Sequence, residues 1–159
     1  MRNRTTKSRT AKSLADGLTI LKKKTAAPSK KLEAFPNRNP DRRYTVTLVC
    51  PEFTCVCPLT GQPDFGTITI QYVPDRRILE SKSLKLYLWS YRQEGTFHEH
   101  VINRILDDVV KVLDPWHCKV TGAFAARGGI SITVEAVFDR EAGRAGSAAP
   151  AARRGSRPS

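Results

Sequence analysis

Hydrophobic and polar positions alternate over residues 44–50, where Val46, Leu48 and Cys50 point one way and Thr45 and Thr47 the other. Residues 67–73 repeat the pattern, with Ile68, Ile70 and Tyr72 set against Thr67, Thr69 and Gln71. A period of two predicts two half-buried strands. The stretch between them, 51–66, is rich in Pro, Gly, Cys and Asp and reads as a long loop of the kind that carries function. From 97 to 113 the residues Val101, Ile102, Ile105, Val109, Val112 and Leu113 share one face at helical spacing, and Asp114-Pro115 ends that helix. Cys118, Val120 and Phe124 then alternate with Lys119, Thr121 and Ala123. Arg127-Gly128-Gly129 turns the chain, and Ile130, Ile132 and Val134 alternate with Ser131, Thr133 and Glu135 as a second hairpin. Residues 83–91 fit two templates. Leu84, Leu86 and Leu88 alternate as a strand would, whereas Leu84, Leu88 and Tyr91 suit a helix capped by Ser81 or Ser83; the alternation favours strand. Hairpin, ambiguous element, helix and hairpin make an α+β pattern.

Composition sets the limits of that folded part. Residues 1–13 and 142–159 are Arg, Lys, Ser, Thr, Ala, Gly and Pro with almost nothing to bury, so they cannot offset the entropy of ordering. The expected organisation is a basic N-terminal tail over 1–15, one domain over 16–138, and an Ala/Arg/Gly-rich tail over 139–159. Such a domain is small enough to gain from oligomerisation. The net charge of +12 sits at the ends: 13 Lys/Arg and 3 Asp/Glu over residues 1–43, 5 Arg and 2 acidic residues over 139–159, and 9 basic against 10 acidic residues between. The basicity therefore belongs to the ends of the chain, and the stretch between them is close to neutral. No stretch approaches the ~20 apolar residues of a membrane helix, and no apolar segment of signal-peptide type follows the N-terminus. A cytoplasmic protein is expected.

Four cysteines, at 50, 55, 57 and 118, are expected to be reduced thiols. Cys50 and Cys118 fall on apolar strand faces and read as small buried hydrophobes. Cys55-Val56-Cys57 lies in the presumed loop, with Asp64 seven residues beyond Cys57. Cys55 and Cys57 could join His98, His100 or His117 around zinc, although C-x-C without a second pair is a weak metal signal. Alternatively Cys57 could be a nucleophile, given local donors to hold a thiolate and an acid such as Asp64 nearby. His98-Glu99-His100 opens the helix; it is either a solvated first turn or a place where Glu99 offers two acceptor oxygens to a planar ligand with adjacent N–H donors. Glu80-Ser81-Lys82-Ser83-Leu84-Lys85 is either a charged surface turn or a phosphate-contacting element.

Five segments in one order resemble a known family. They are Leu32-Glu33-Ala34-Phe35-Pro36-Asn37; Cys57-Pro58-Leu59-Thr60-Gly61-Gln62-Pro63-Asp64-Phe65; Glu80-Ser81-Lys82-Ser83-Leu84-Lys85-Leu86-Tyr87; Phe97-His98-Glu99; and Arg127-Gly128-Gly129-Ile130-Ser131-Ile132. Together they resemble the short, single-module NADPH-dependent 7-cyano-7-deazaguanine reductases of queuosine biosynthesis, over about residues 17–132. The resemblance implies the tunnelling fold: two antiparallel hairpins with two helices between them, closed into a barrel by several subunits, with ligand sites at subunit interfaces. It makes the ambiguous 81–91 element a helix. It implies that Cys57 adds to the nitrile carbon to form a covalent thioimide, that Asp64 donates a proton, and that two NADPH supply hydride. It further assigns Leu79, Glu80, Ser81, His98 and Glu99 to the substrate, and Lys82, Ser83 and Lys85 to the cofactor, with no metal. No Gly-x-Gly-x-x-Gly follows a strand, so a Rossmann mode of binding is not expected.

Cys55 lies outside the family motif and could offer a thiol to an oxidised Cys57. Beyond Val134 the resemblance fades. Two other readings compete: a zinc-dependent cyclohydrolase of pterin type, which shares the tunnelling fold, and a basic nucleic-acid-binding protein acting through its tails. The resemblance favours neither, and implies no membrane and no specific nucleic-acid partner.

Overall fold

A computed structural model of the chain describes residues 17–20 and 26–145. Most of both expected tails, 1–16 and 146–159, lies outside the described residues. The elements run β1 (Ala34–Pro36), β2 (Val46–Val56), β3 (Pro63–Val73), β4 (Arg77–Leu79), α1 (Ser81–Trp89), α2 (His98–Leu113), β5 (His117–Arg127), β6 (Ile130–Asp139) and α3 (Arg140–Ala145). β2, β3, β5 and β6 form one antiparallel sheet in that order, and β1 pairs with β4 in a small second sheet. The α+β reading holds, with both hairpins where the alternation put them.

The even-numbered residues Ile68, Ile70 and Tyr72 of β3 and Cys118, Val120 and Phe124 of β5 are buried on one face of the sheet. Helix α2 lies across that face and buries Val101, Ile102, Ile105, Val109 and Leu113 against it. At Gly122 the helix comes so close that a Cβ would stand 2.4 Å from Ile102 Cδ1. The helix ends at Asp114, which takes the left-handed conformation with φ 46°.

Two expectations need correction. The stretch 51–66 is mostly strand: β2 continues to Val56 and β3 starts at Pro63, leaving only residues 57–62 as the connection. A bulge hides this in the sequence. Cys50 pairs with Ile68 but Phe53 pairs with Gly66, so one extra residue stands in β2 beside Pro51. A proline lacks the ladder N–H and is tolerated at bulges and edges. Residues 81–89 form a helix, as the family resemblance implies and against the alternation. The Glu80 carboxylate caps it, accepting from the Lys82 and Ser83 N–H groups at 2.9 and 2.7 Å. Leu84, Tyr87, Leu88 and Tyr91 make its core-facing stripe, while Leu86 is buried apart, where its carbonyl accepts from the Ser29 N–H.

The chain stays ordered past residue 138. Arg140 donates to Asp75, to the Pro115 carbonyl and to the Asp114 carbonyl, and its guanidinium lies 4.3 Å from the Trp116 ring centroid, so the first residues of the expected C-terminal tail are fastened to the domain. At the other end, the Glu33 carboxylate accepts from the Thr19 and Ile20 N–H groups and from Lys31. Burial alone would raise its pKa; hydrogen bonds from Thr19, Lys31 and Ile20 outweigh it and bring the group down to about 2.

Candidate active site

Cys57 opens the tight connection between β2 and β3. Its N–H donates to the Gln62 carbonyl at 2.8 Å, and its carbonyl accepts from the Gly61 N–H at 2.9 Å. The turn closes because Pro58 presets its own φ and Gly61 adopts φ 68°, a left-handed value that glycine takes without strain. The same turn aims donors at the sulfur. The Thr60 hydroxyl, the Thr60 N–H and the Leu59 N–H, with help from the Arg127 guanidinium, outweigh burial and lower the Cys57 thiol to about 7. Cys55, two residues earlier and fully buried in β2, goes the other way. Burial, then the Asp64 and Cys57 charges, push it up to about 11. Near neutral pH the thiolate is therefore Cys57, and Cys55 makes a poor resolving thiol. Cys118 is likewise pushed up by burial to about 12, as a core residue should be.

Asp64 is the second residue of β3 and stands on the same even-numbered face as Ile68 and Ile70, which explains its burial. One oxygen, Oδ1, accepts from Arg127 Nη1 at 2.5 Å. The other, Oδ2, lies 3.5 Å from His98 Nε2. Arg127 also donates to the Gln62 side chain, so it clamps the Cys57 turn to Asp64. The His98 ring stacks on Phe124, with centroids 3.8 Å apart and planes 12° from parallel, and its buried Nε2 has no hydrogen-bond partner. The chain delivers His98 there by running residues 94–96 beside the end of β2: the Val56 N–H donates to the Glu94 carbonyl and the Thr96 N–H to the Val56 carbonyl. Gly95 permits this approach, since a Cβ there would stand 3.2 Å from Pro58 Cα. Glu99, exposed in the first turn of α2, follows immediately, and the N-cap residue Phe97 makes no side-chain capping bond.

Cys57, Asp64, His98 and Glu99 thus meet at one end of the sheet. The other assigned residues do not. Leu79 pairs with Ala34 in the small sheet, the Glu80 N–H donates to the Glu33 carbonyl, and Ser81 begins α1. It is the far end of α1, eight residues on and about 12 Å away, with the turn that follows it, that packs against β2 through the Tyr91 and Phe53 rings, 5.9 Å apart. The Glu80 carboxylate is committed to the helix cap. Ser83, assigned to the cofactor by the resemblance, is fully buried here: its hydroxyl donates to the Glu80 carbonyl and accepts from the Glu33 N–H, and it locks the helix start to the neighbouring segment. Lys82 and Lys85 lie one turn apart on α1, Lys85 exposed.

Arg127, Thr60 and Phe124 were not singled out for chemistry by sequence reasoning. A buried Asp64 demands a cation, but nothing in local spacing points to Arg127. A second bulge separates it from the rest of β5: Phe124 pairs with Ile132, whereas Arg127 pairs with Ile130. The zinc reading does not fit, because Cys55 is enclosed in β2, and among the described residues no three His, Cys, Asp or Glu side chains are placed to hold one metal ion together. Among the same residues no helix is long and apolar enough to cross a membrane.

Comparison with known proteins bears on this arrangement. The family model described as QueF-like protein matches residues 63–142. A protein of Syntrophus aciditrophicus named NADPH-dependent 7-cyano-7-deazaguanine reductase is 66% identical over 123 residues, covering 77% of this chain and 87% of that protein. One of Anaeromyxobacter sp. (strain Fw109-5) with the same name is 60% identical over 109 residues, covering 69% and 89%. Among solved structures, the archaeosine synthase QueF-Like in its apo form matches with a TM-score of 0.55 at 26% identity, over 58% of this chain and 91% of that one.

Proposed function

Since this chain belongs to the family of NADPH-dependent 7-cyano-7-deazaguanine reductases, we propose that it reduces the nitrile of 7-cyano-7-deazaguanine to an aminomethyl group, a step of queuosine formation for tRNA. The observation that carries this reading is the Cys57 thiol, held near a pKa of about 7 by donors of its own turn and clamped through Arg127 to the buried Asp64. A nitrile resists direct hydride attack. The Cys57 thiolate adds to its carbon, a C–S bond forms, and the nitrile nitrogen takes a proton, giving a thioimide. Asp64 is the donor in this reading; Arg127 occupies Oδ1, so Oδ2 is the oxygen left to hold that proton. NADPH supplies the two hydrides that take the thioimide carbon to an imine and then to the amine. Between them the C–S bond breaks, and a sulfur with a lowered pKa is a good leaving group. Glu99 and His98 receive the N–H edge of the base.

The residues present fit a phosphate-bearing cofactor. Lys82 and Lys85 stand on successive turns of α1, and each supplies a point charge suited to phosphate. Leu79, Glu80 and Ser81, set apart from Cys57 at the small sheet and the start of α1, support a shared site, in which residues 79–81 of one copy complete the base pocket of another. The sheet favours such assembly: β2 and β6 are both edge strands, and among the described residues no helix covers the outer face that holds the exposed Val49, Phe65 and Val137. Several copies would close these sheets into the barrel of the tunnelling fold.

The test omits the reductant. The protein incubated with the nitrile alone should gain the substrate's mass on Cys57. Cys57→Ala should lack the adduct and Cys55→Ala should keep it. An adduct that survives Cys57→Ala, or none on the wild type, overturns the reading.

A further inference from the structure

Between the solvent side of α1 and the β2 bulge lies a groove of about 430 Å³, in which Lys85 alone of the residues assigned above takes part. Phe53 and Leu88 form its apolar floor. Trp89 stands in one wall with Lys85 and Arg92, and Glu52 stands opposite. Lys85 and Trp89 stand one turn apart on α1, and Arg92 follows in the turn after the helix, where its N–H donates to the Trp89 carbonyl, so Lys85, the indole and Arg92 line one side of the groove. Among the described residues the other cations that lie close over rings are held by partners or by shared stacking. Lys30 sits over Tyr91 and pairs with Glu94; Arg43 and Arg140 both lie over Trp116, and Arg140 pairs with Asp75. Lys85 and Arg92 differ. Neither enters a salt bridge among the described residues, and the Arg92 guanidinium rests 5.8 Å from the Trp89 centroid, at the outer limit of a cation–π contact.

A planar hydrophobic surface, two unspent cations on one side and a carboxylate on the other suit a purine nucleotide carrying an extra phosphate. Arginine grips a phosphate through two parallel N–H bonds, which makes it the better discriminator of the two cations. The groove opens at residues 50–53 and Cys57 lies four to seven residues further along β2, about 13–23 Å at ~3.3 Å per residue. A dinucleotide spans such a separation; a mononucleotide does not. We propose that this groove seats the adenosine half of NADPH, with the base on Trp89 and the 2′-phosphate on Arg92 backed by Lys85. The proposal rests on the reductase reading and adds to it the residue that tells NADPH from NADH.

Calorimetric titration with 2′,5′-ADP and with 5′-ADP, in the absence of the nitrile, tests it. The wild type should bind 2′,5′-ADP about 10-fold or more tightly than 5′-ADP, one good charge-assisted phosphate contact being worth that much. Arg92→Ala should cancel most of that preference while leaving 5′-ADP binding nearly unchanged. Trp89→Ala should weaken both ligands alike. Ligand binding should quench tryptophan emission, and Trp89→Phe, which keeps Trp116, should lose the quench. Wild-type-like preference in Arg92→Ala, or an unchanged quench in Trp89→Phe, overturns the proposal. The Cys57 adduct, formed without NADPH, keeps the two readings separable. An adduct with no 2′,5′-ADP binding sinks the groove alone, whereas absence of the adduct sinks the reductase reading itself.

Discussion

One face of the four-stranded sheet is built in two ways. Away from the Cys57 turn it is a plain core: Leu48, Ile70, Tyr72, Cys118 and Val120 alternate inward beneath the C-terminal turns of α2. At the other end the same face bears a thiol, a carboxylate and a guanidinium from three neighbouring strands or their turns, with an imidazole at the first residue of α2. Two bulges mark the change. On β2 the inward parity passes from even (Val46, Leu48, Cys50) to odd (Phe53, Cys55), and on β5 it passes from Phe124 to Arg127. The helix cover stops where these groups begin, because α2 starts at His98. Reactive groups can therefore sit on a core-facing surface without being sealed in it. One end makes the fold stable and the other makes it chemically active.

Substitutions at the two ends should then have separable consequences. Arg127→Met removes the clamp between Asp64 and the Cys57 turn while keeping an apolar side chain. Turnover should fall about 10²-fold or more, the scale of losing a positioned charge or general acid, with the folded state kept. Because Arg127 acts through Asp64, adding Asp64→Asn should cost much less than it does alone. Ile70→Ala is the opposite probe. It should remove about 2–5 kcal/mol of stability, as for other buried large-to-small changes, and leave turnover per folded molecule and the Cys57 titration unchanged. Equal losses of activity in both variants at matched folded fraction would erase the distinction between the ends.

The plain end was legible in the sequence because its alternation is unbroken, and α2 because its apolar stripe runs four turns to an unambiguous Asp-Pro stop. The active end was hidden by the feature that builds it. The bulge at Pro51 breaks the period of two, so 51–66 looked like loop although eleven-residue strands meet there. Cys57, Asp64, His98 and Glu99 were reached through motif resemblance, which is indifferent to parity. Arg127 read as a turn residue because its partner Asp64 is 63 positions away. Helix α1 misled through its leucines: two of the three alternating ones belong to the core stripe and Leu86 is buried elsewhere. Glu80, the residue that starts the helix, is a cap that period counting does not see.

The seam between the ends is Gly122, directly under the second turn of α2. Gly122→Val places a branched side chain where Ile102 Cδ1 and Cγ1 would lie 2.4 and 2.8 Å from the new Cβ. Overpacking of this kind costs about 1–3 kcal/mol, and calorimetry should show a drop in melting temperature of several degrees. Since the displaced turn carries His98 one turn upstream, turnover should fall as well. A variant that loses stability with unaltered turnover would show that α2 does not transmit packing to the site.

The smallest effect expected is also the most direct reading of the electrostatics. The Thr60 hydroxyl is the largest of the influences that hold the Cys57 thiol at about 7, and it donates only to the thiolate form's benefit. Thr60→Val keeps the branched shape and removes that donor, leaving the Thr60 and Leu59 N–H groups in place through the unchanged backbone. The thiol pKa should rise by about one pH unit, the usual scale for one hydrogen bond to an ionised group. For an acid the sign is fixed: the wild-type thiolate grows as pH rises through 7 and is nearly complete by pH 8, so alkylation by iodoacetamide should level off there. In Thr60→Val the same curve should be displaced upward, with a similar plateau, since the sulfur itself is unchanged. At pH 7 the variant should react several-fold more slowly, and at pH 9.5 the difference should nearly vanish. A difference that persists undiminished at high pH would mean that Thr60 controls access to Cys57 and not its ionisation, and the active end would then owe its reactivity to shape more than to charge.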